Sequence, residues 1–312
     1  MRIELMIEGQ EDVTWAQWVA LARACEQHGV GTLFRSDHYL SVGGQEQRGS
    51  LDAWTTLAGL AAITTRLRLG VLVSPATFRH PSVLAKCVTT VDHISGGRAE
   101  LGVGAGWNER EHEAYGFDFP PLGTRMELLE EQLAVICGEW SDGACSLAGE
   151  HYRLAAVDAR PKPVQRPHPP IIIGGGARPR SARLAARFAD GYNTVFATPA
   201  ECAQRRAVVE QAWRDAGRDA ATLTFSVMVP WLTGSDAADL RRRAEHLAAR
   251  QGADATELIA EFSETGVAGT LEDAVVRLRA YRDAGVDRIM LQHLLHDDLE
   301  ALALLPRLAA AL

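Results

Sequence analysis

Arg35-Ser36-Asp37-His38-Tyr39 is the segment of this chain best equipped for acid–base chemistry. A histidine takes up or releases a proton near neutral pH. Asp37 beside it could orient the ring or bind a ligand amide, and a capped, solvated loop is the plainer reading of an isolated Asp-His pair. Two glycine runs come next. Gly102-Val103-Gly104-Ala105-Gly106 leaves the backbone bare enough for a flat ligand to lie against it. It is not a dinucleotide fingerprint, because GxGxxG needs glycine at 107 and Trp107 stands there. Gly174-Gly175-Gly176-Ala177-Arg178 lies between a strand-like and a helix-like segment. Backbone N–H groups at a helix N-terminus bind phosphate, and Arg178 adds charge. No GK[ST] follows, so this is not a P-loop, and a plain β–α turn fits the segment equally well. Glu111-His112-Glu113 is not HExxH, and His293 and His296 have no obvious carboxylate partner, so no metal is expected. No GxSxG elbow supports serine hydrolysis.

Such groups need strands that end side by side. Leu67 to Val73 is apolar and β-branched, as in a strand covered on both faces. Pro81 suits a first helical turn, and Val83, Leu84, Val88 and Val91 follow at helical spacing. Gly96-Gly97 stops that helix, and Leu101 to Val103 is again strand-like. This β-α-β unit puts small residues at a strand's C-terminal end, where α/β folds place their sites. Further strands are predicted at Arg2 to Ile7, Gly31 to Phe34, Ile171 to Ile173, Gly191 to Val195, Leu223 to Val229 and Val286 to Leu291. Helices are predicted over Trp15 to His28, Asp52 to Thr64, Thr124 to Trp140 and Arg180 to Ala189, and a hairpin over Cys145 to Leu154. Residues 108–123 (NEREHEAYGFDFPPLG) read as a polar, Pro-containing excursion, and a further helical stretch lies between Val229 and Gly269. The expected architecture is an eight-stranded parallel (β/α)8 TIM barrel with insertions, one domain over residues 1–312. A doubly wound open sheet would share the same strand pattern.

Bulk properties narrow the function classes. A net charge of −8 argues against nonspecific nucleic-acid binding, which needs a basic surface. Five cysteines without CxxC spacing fit free thiols in a reducing compartment. MRIELMIEGQ has no apolar signal-peptide core, and no run approaches a membrane span. The expectation is a cytoplasmic protein with small-molecule partners and no nucleic acid or membrane.

Five segments, in this order, resemble the luciferase-like oxidoreductases of the bacterial luciferase superfamily. They are RSDHY at 35–39, RLRLGVLVSPATFRHP at 66–81, HISGGRAELGVGAGWNEREHEAYG at 93–116, PIIIGGGARPRSARLAARFADGYN at 170–193, and the stretch from Gly269 to Gln292 ending YRDAGVDRIMLQ. Asp-His after the second strand and GGG-x-R look most like the branch that uses the deazaflavin coenzyme F420. Relatives that use FMN share much of the pattern. The resemblance implies a cofactor at the strand C-termini. Asp37 would contact its ring and His38 would sit near the hydride-carrying carbon as the catalytic residue. Leu72, Val73, Pro75 and Ala76 would line the ring, with a non-proline cis peptide near Leu72-Val73. Ala105 and Gly106 would border it, and Gly175, Gly176, Ala177, Arg178, Ser181 and Ala182 would cradle the phosphate. Sugar-phosphate dehydrogenases of this branch carry a catalytic glutamate just after the fourth-strand glycines. Trp107 stands there, which argues against such substrates and for a flatter, more apolar substrate pocket. The implied activity is F420-dependent hydride transfer to or from a small, apolar organic substrate, in a homodimer. An FMN-dependent monooxygenase and a non-catalytic flavin-binding relative are the alternatives.

Overall fold

A computed structural model describes residues 1–43 and 47–312. In chain order the elements begin β1 (Arg2–Ile7), α1 (Trp15–Gln27), β2 (Thr32–Arg35), α2 (Ala53–Ile63), β3 (Arg68–Pro75), α3 (Pro81–Ser95) and β4 (Ala99–Gly104). Then come α4 (Glu109–Tyr115), α5 (Leu122–Trp140), the hairpin β5 (Cys145–Ala148) and β6 (Arg153–Val157), β7 (Ile171–Gly174), α6 (Pro179–Phe188), β8 (Gly191–Val195) and α7 (Pro199–Asp215). The last are β9 (Thr224–Gly234), α8 (Ala237–Gln251), α9 (Ala255–Thr265), β10 (Val267–Thr270), α10 (Leu271–Asp283), β11 (Arg288–Gln292) and α11 (Leu305–Ala310). Among the described residues no helix is long and apolar enough to cross a membrane.

The eight expected strands are the staves of a closed parallel barrel, in the ring order β1, β2, β3, β4, β7, β8, β9, β11 and back to β1. The open doubly wound sheet is therefore excluded. Two elements lie outside the expectation. β10 pairs with the far end of β9, from Val267 opposite Trp231 to Thr270 opposite Gly234, outside the ring. α4 falls in the excursion read as irregular. Its buried residues are Glu111 and His112, so the apolar period that marks a helix is missing from its sequence.

Alternation along the staves sorts residues between two cores. Leu5, Ile7, Leu33, Leu69, Val71 and Leu101 face outward and pack under the helices with Trp18, Trp54 and Leu84. Met6, Phe34, Leu72, Ile172, Met228 and Met290 face inward and fill the ring. Below this plug a buried ion network closes the N-terminal end. Arg288 reaches Glu100 at 2.8 Å and Glu4 at 3.4 Å, and Arg68 reaches Glu100 at 2.7 Å. The C-terminal end is left as the mouth. A third, separate apolar cluster joins Leu240, Leu247, Leu258 and Phe262 of α8 and α9 to Leu232 and Ala268.

The glycines near the mouth have a tenant already. The β3–β4 register shifts between Val71 and Ser74, and the Leu72-Val73 peptide is cis. Val73 projects toward Gly102, Gly104 and Gly174. A Cβ built at Gly104 would stand 2.9 Å from one Val73 methyl, and one at Gly174 would stand 3.0 Å from the other. Gly104 is bare because Val73 fills its space rather than because a ligand does. Gly104→Ala should therefore lower stability by about 1–3 kcal/mol, the usual cost of overpacking. Combined with Val73→Ala, the loss should fall short of the sum of the two single losses. Urea unfolding midpoints test this, and strict additivity would refute the packing account.

Candidate active site

β2 ends at Arg35, and the chain leaves the rim through Ser36 to Leu40. Two anchors hold this loop. Asp37 is the first: its carboxylate takes Arg79 Nη1 at 2.6 Å, Arg79 Nη2 at 3.1 Å and Ser74 Oγ at 2.6 Å. Arg79 also reaches Asp52 at 2.6 Å and the Tyr39 hydroxyl at 2.9 Å. Burial works against the Arg79 charge, but the flanking carboxylates outweigh it and hold its pKa above the ordinary arginine value. Asp37 is 1% exposed. Both of its carboxylate oxygens, expected beside a cofactor ring, are engaged by Arg79 and Ser74.

The second anchor is Glu111 on α4. Its Oε2 lies 2.7 Å from His38 Nδ1, and its Oε1 accepts the backbone N–H groups of Tyr39 and Leu40. Glu111 is fully buried. The helix carrying it is pinned by His112, whose Nε2 meets Thr77 Oγ1 at 2.6 Å and whose Nδ1 meets the Asn108 carbonyl at 2.7 Å. Burial disfavours the charged form of His38, but the hydrogen bond and negative charge of Glu111 prevail, and its pKa is raised. Burial likewise pushes the Glu111 carboxyl up, but His38 and the two N–H donors bring it below its ordinary value. Each partner thus shifts the other toward its charged form. His38 Nε2 has no partner among the described residues and is not sealed off from solvent. It is the nitrogen left for chemistry. Trp107, 62% exposed, stands edge-on to the ring at 5.7 Å.

The remaining expected residues surround this mouth. Leu72 belongs to the interior plug, with Val73 packed against it. Pro75 and Ala76 are buried, and Ala76 N–H donates to the Gly104 carbonyl. Ala105 and Gly106 are partly open, and the Gly106 carbonyl accepts from Arg125. In the second glycine run, a Cβ at Gly175 would stand 2.7 Å from the Tyr192 hydroxyl, which lies beneath the loop. That hydroxyl accepts Ala177 N–H at 2.8 Å and pairs with Ser181 Oγ at 2.9 Å. Ala182 N–H is bound to the Arg178 carbonyl. The polar groups of Ala177, Ser181 and Ala182 expected on a phosphate are bonded within the loop, the Ser181 N–H excepted. What stays open is Gly176, with nothing within 4 Å of a built Cβ, the exposed Arg178, and the first N–H groups of α6. His293 and His296 are both buried; His293 Nε2 contacts the Asp298 carbonyl at 3.1 Å and its ring tilts against Trp231.

Comparison with known proteins now has a site to refer to. The profile of the luciferase-like monooxygenase family matches residues 2–288. This chain belongs to that family. Among its relatives, the pyrimidine monooxygenase RutA of Methylorubrum extorquens is 30% identical over 267 residues, 83% of this chain and 68% of its own length. An uncharacterized protein of Mycobacterium tuberculosis is 32% identical over 217 residues, 64% of this chain and 74% of its own. Two solved structures superpose over nearly all of both chains. One is an F420-dependent secondary alcohol dehydrogenase in complex with an F420-acetone adduct, with a TM-score of 0.84 and 18% identity, covering 100% of this chain and 99% of its own. The other is the monooxygenase RslO1 from Streptomyces bottropensis, with a TM-score of 0.84 and 23% identity, covering 99% and 98%. At these identities the likeness is one of fold.

The His38–Glu111 pair sets a pH window for stability. The share due to His38 is complete below its ordinary value of 6.5 and fades as pH rises through its raised pKa. The share due to Glu111 is complete above its ordinary 4.5 and fades as pH falls through its lowered pKa. The Tm difference between the natural chain and Glu111→Gln should therefore peak between those two titrations and shrink on both sides. A difference that is flat with pH in calorimetry would refute the ionic pairing.

Proposed function

We propose that this luciferase-like chain is an oxidoreductase that uses coenzyme F420 to move a hydride to or from a small, apolar organic substrate at the barrel mouth. The observation that carries this reading is His38, held by a buried carboxylate with one ring nitrogen left open at the rim. The residues present fit a flat cofactor with an anionic tail. Val73 makes a raised apolar floor over three glycines. The Gly176 turn, the Arg178 guanidinium and the first turn of α6 make an electropositive end for the tail. Pro75, Ala76, Ala105 and Gly106 lie at the rim between floor and tail.

When bound, the deazaflavin would supply the hydride-carrying ring carbon. The chain supplies the rest. His38 carries a proton at Nε2 and passes it to, or takes it from, the substrate atom that gains or loses charge. Glu111 fixes the ring orientation and favours its protonated state. Asp37 and Arg79 act on His38 through the loop that bears it. Trp107 covers one side and gives the substrate an apolar face. A second reading is an FMN-dependent monooxygenase; the likeness to RutA, a pyrimidine monooxygenase, supports the monooxygenase part of it.

Titration of the purified chain with each cofactor separates the two, and Trp107 at the mouth gives a fluorescence signal. The deazaflavin should bind more tightly than FMN. Tight FMN binding with no deazaflavin binding would overturn the proposal. With a substrate in hand, His38→Ala should lower single-turnover hydride transfer by about 10²–10⁴-fold at saturating cofactor. Near-normal turnover would make His38 a bystander.

A further inference from the structure

The strand that opens the chain points a further carboxylate at the same histidine. On β1, Met6 faces the ring interior while Leu5 and Ile7 face the helices. The alternation continues at the strand end and turns Glu8 into the mouth. On β2, Phe34 faces inward and Arg35 outward, its guanidinium 5.0 Å over the Trp18 ring, so Ser36 and His38 are the next inward positions. Ile7 is in register with Arg35, which sets Glu8 level with Ser36. Two amides hold the half-buried Glu8. Gln292 Nε2 donates to Oε1 at 2.5 Å and Gln10 Nε2 donates to Oε2 at 2.8 Å. Gln10 is fixed in turn by the Ser36 hydroxyl.

The charges around the mouth leave Glu8 over. Asp37 and Asp52 share Arg79, Glu11 is met by Arg48, and Glu111 is met by His38. Among the described residues Glu8 has amide donors only and no cation within ion-pair distance. A partly buried carboxylate without a cation is costly unless a positive charge stands near it. Arg35, whose guanidinium lies against Gly9 and stacks on Trp18, feels the Glu8 charge from behind the wall, and His38 is the titratable cation on the mouth side. We infer that Glu8 is a second carboxylate partner of His38, a positioning residue that keeps the imidazole protonated after Glu111 has set its orientation. Its field acts on His38 in the same direction as that of Glu111. The other charges near the ring are accounted for. Arg110 of α4 turns to the Ser41 carbonyl, Arg35 lies behind the β2 wall, Asp37 is neutralised by Arg79, and burial keeps His293 of the β11 end uncharged.

The inference rests on the role proposed for His38, but its test needs no cofactor. Histidine ring protons of the full-length chain are followed by NMR through a pH titration, with the His38 signal identified by its loss in His38→Asn. In Glu8→Gln the His38 midpoint should fall by about half a pH unit or more, the size one neighbouring charge exerts across a wet mouth. Gln292→Ala removes the strand tether and keeps the charge, so there the midpoint should stay in place. An unchanged midpoint in folded Glu8→Gln overturns the inference. An equal fall in both variants also overturns it, because the tether and not the charge would then be responsible. Failure of the F420 reading would show in the cofactor titration and leave this result untouched.

Discussion

The buried carboxylate of Glu111 is the contact on which the site depends. One oxygen meets the His38 ring and the other gathers two successive backbone N–H groups of the same loop. A single side chain therefore fixes both where the loop runs and which way its histidine turns. Without it, the buried charge and the two amides would lose their partners together, which costs far more than one surface ion pair. The helix that carries Glu111 is only seven residues long and lacks a side-chain N-cap, so it depends on the contacts of His112 to stay in place.

The two ends of the barrel use charge in opposite ways. At the closed end Arg288, Glu100, Glu4 and Arg68 pair with one another in an ion network, with Arg68 at its solvent edge. At the mouth the arginines face outward or backward, and carboxylates surround a titratable ring. The closed end pairs its charges with one another, and the mouth sets its carboxylates around a ring that titrates. The apolar plug between them, from Met6 to Met290, keeps water from linking the two.

The barrel was legible because its staves are short apolar runs punctuated by glycine and proline. His38 stood out for its residue type and its place at a strand end. What stayed hidden follows a common physical pattern. Arg79 and Asp37 are 42 positions apart, and nothing local in either segment announces the pair. Glu111 lies in a run that reads as a polar excursion, on a helix whose buried face is polar. A different signal was available: an acidic residue one turn into a helix that follows strand glycines. The glycine loops misled in the other direction. Their bare backbones suggested room for a ligand, but at Gly104 the room belongs to Val73, and at Gly175 to Tyr192. Small residues mark close approach without saying by what.

The segment formed by α8, α9 and β10 has an apolar cluster of its own, with the far end of β9 as its only strand from the ring. Perturbations in two cores that share few side chains add nearly independently. In engineering terms the segment is a cassette. Its polar ties to the barrel are specific: Arg243 to Asp298 and Arg250 to Asp297 in the loop after β11, and the Arg250 carbonyl to Arg48. An exchange that keeps those partners is therefore a route by which this scaffold can diversify away from the histidine at its mouth.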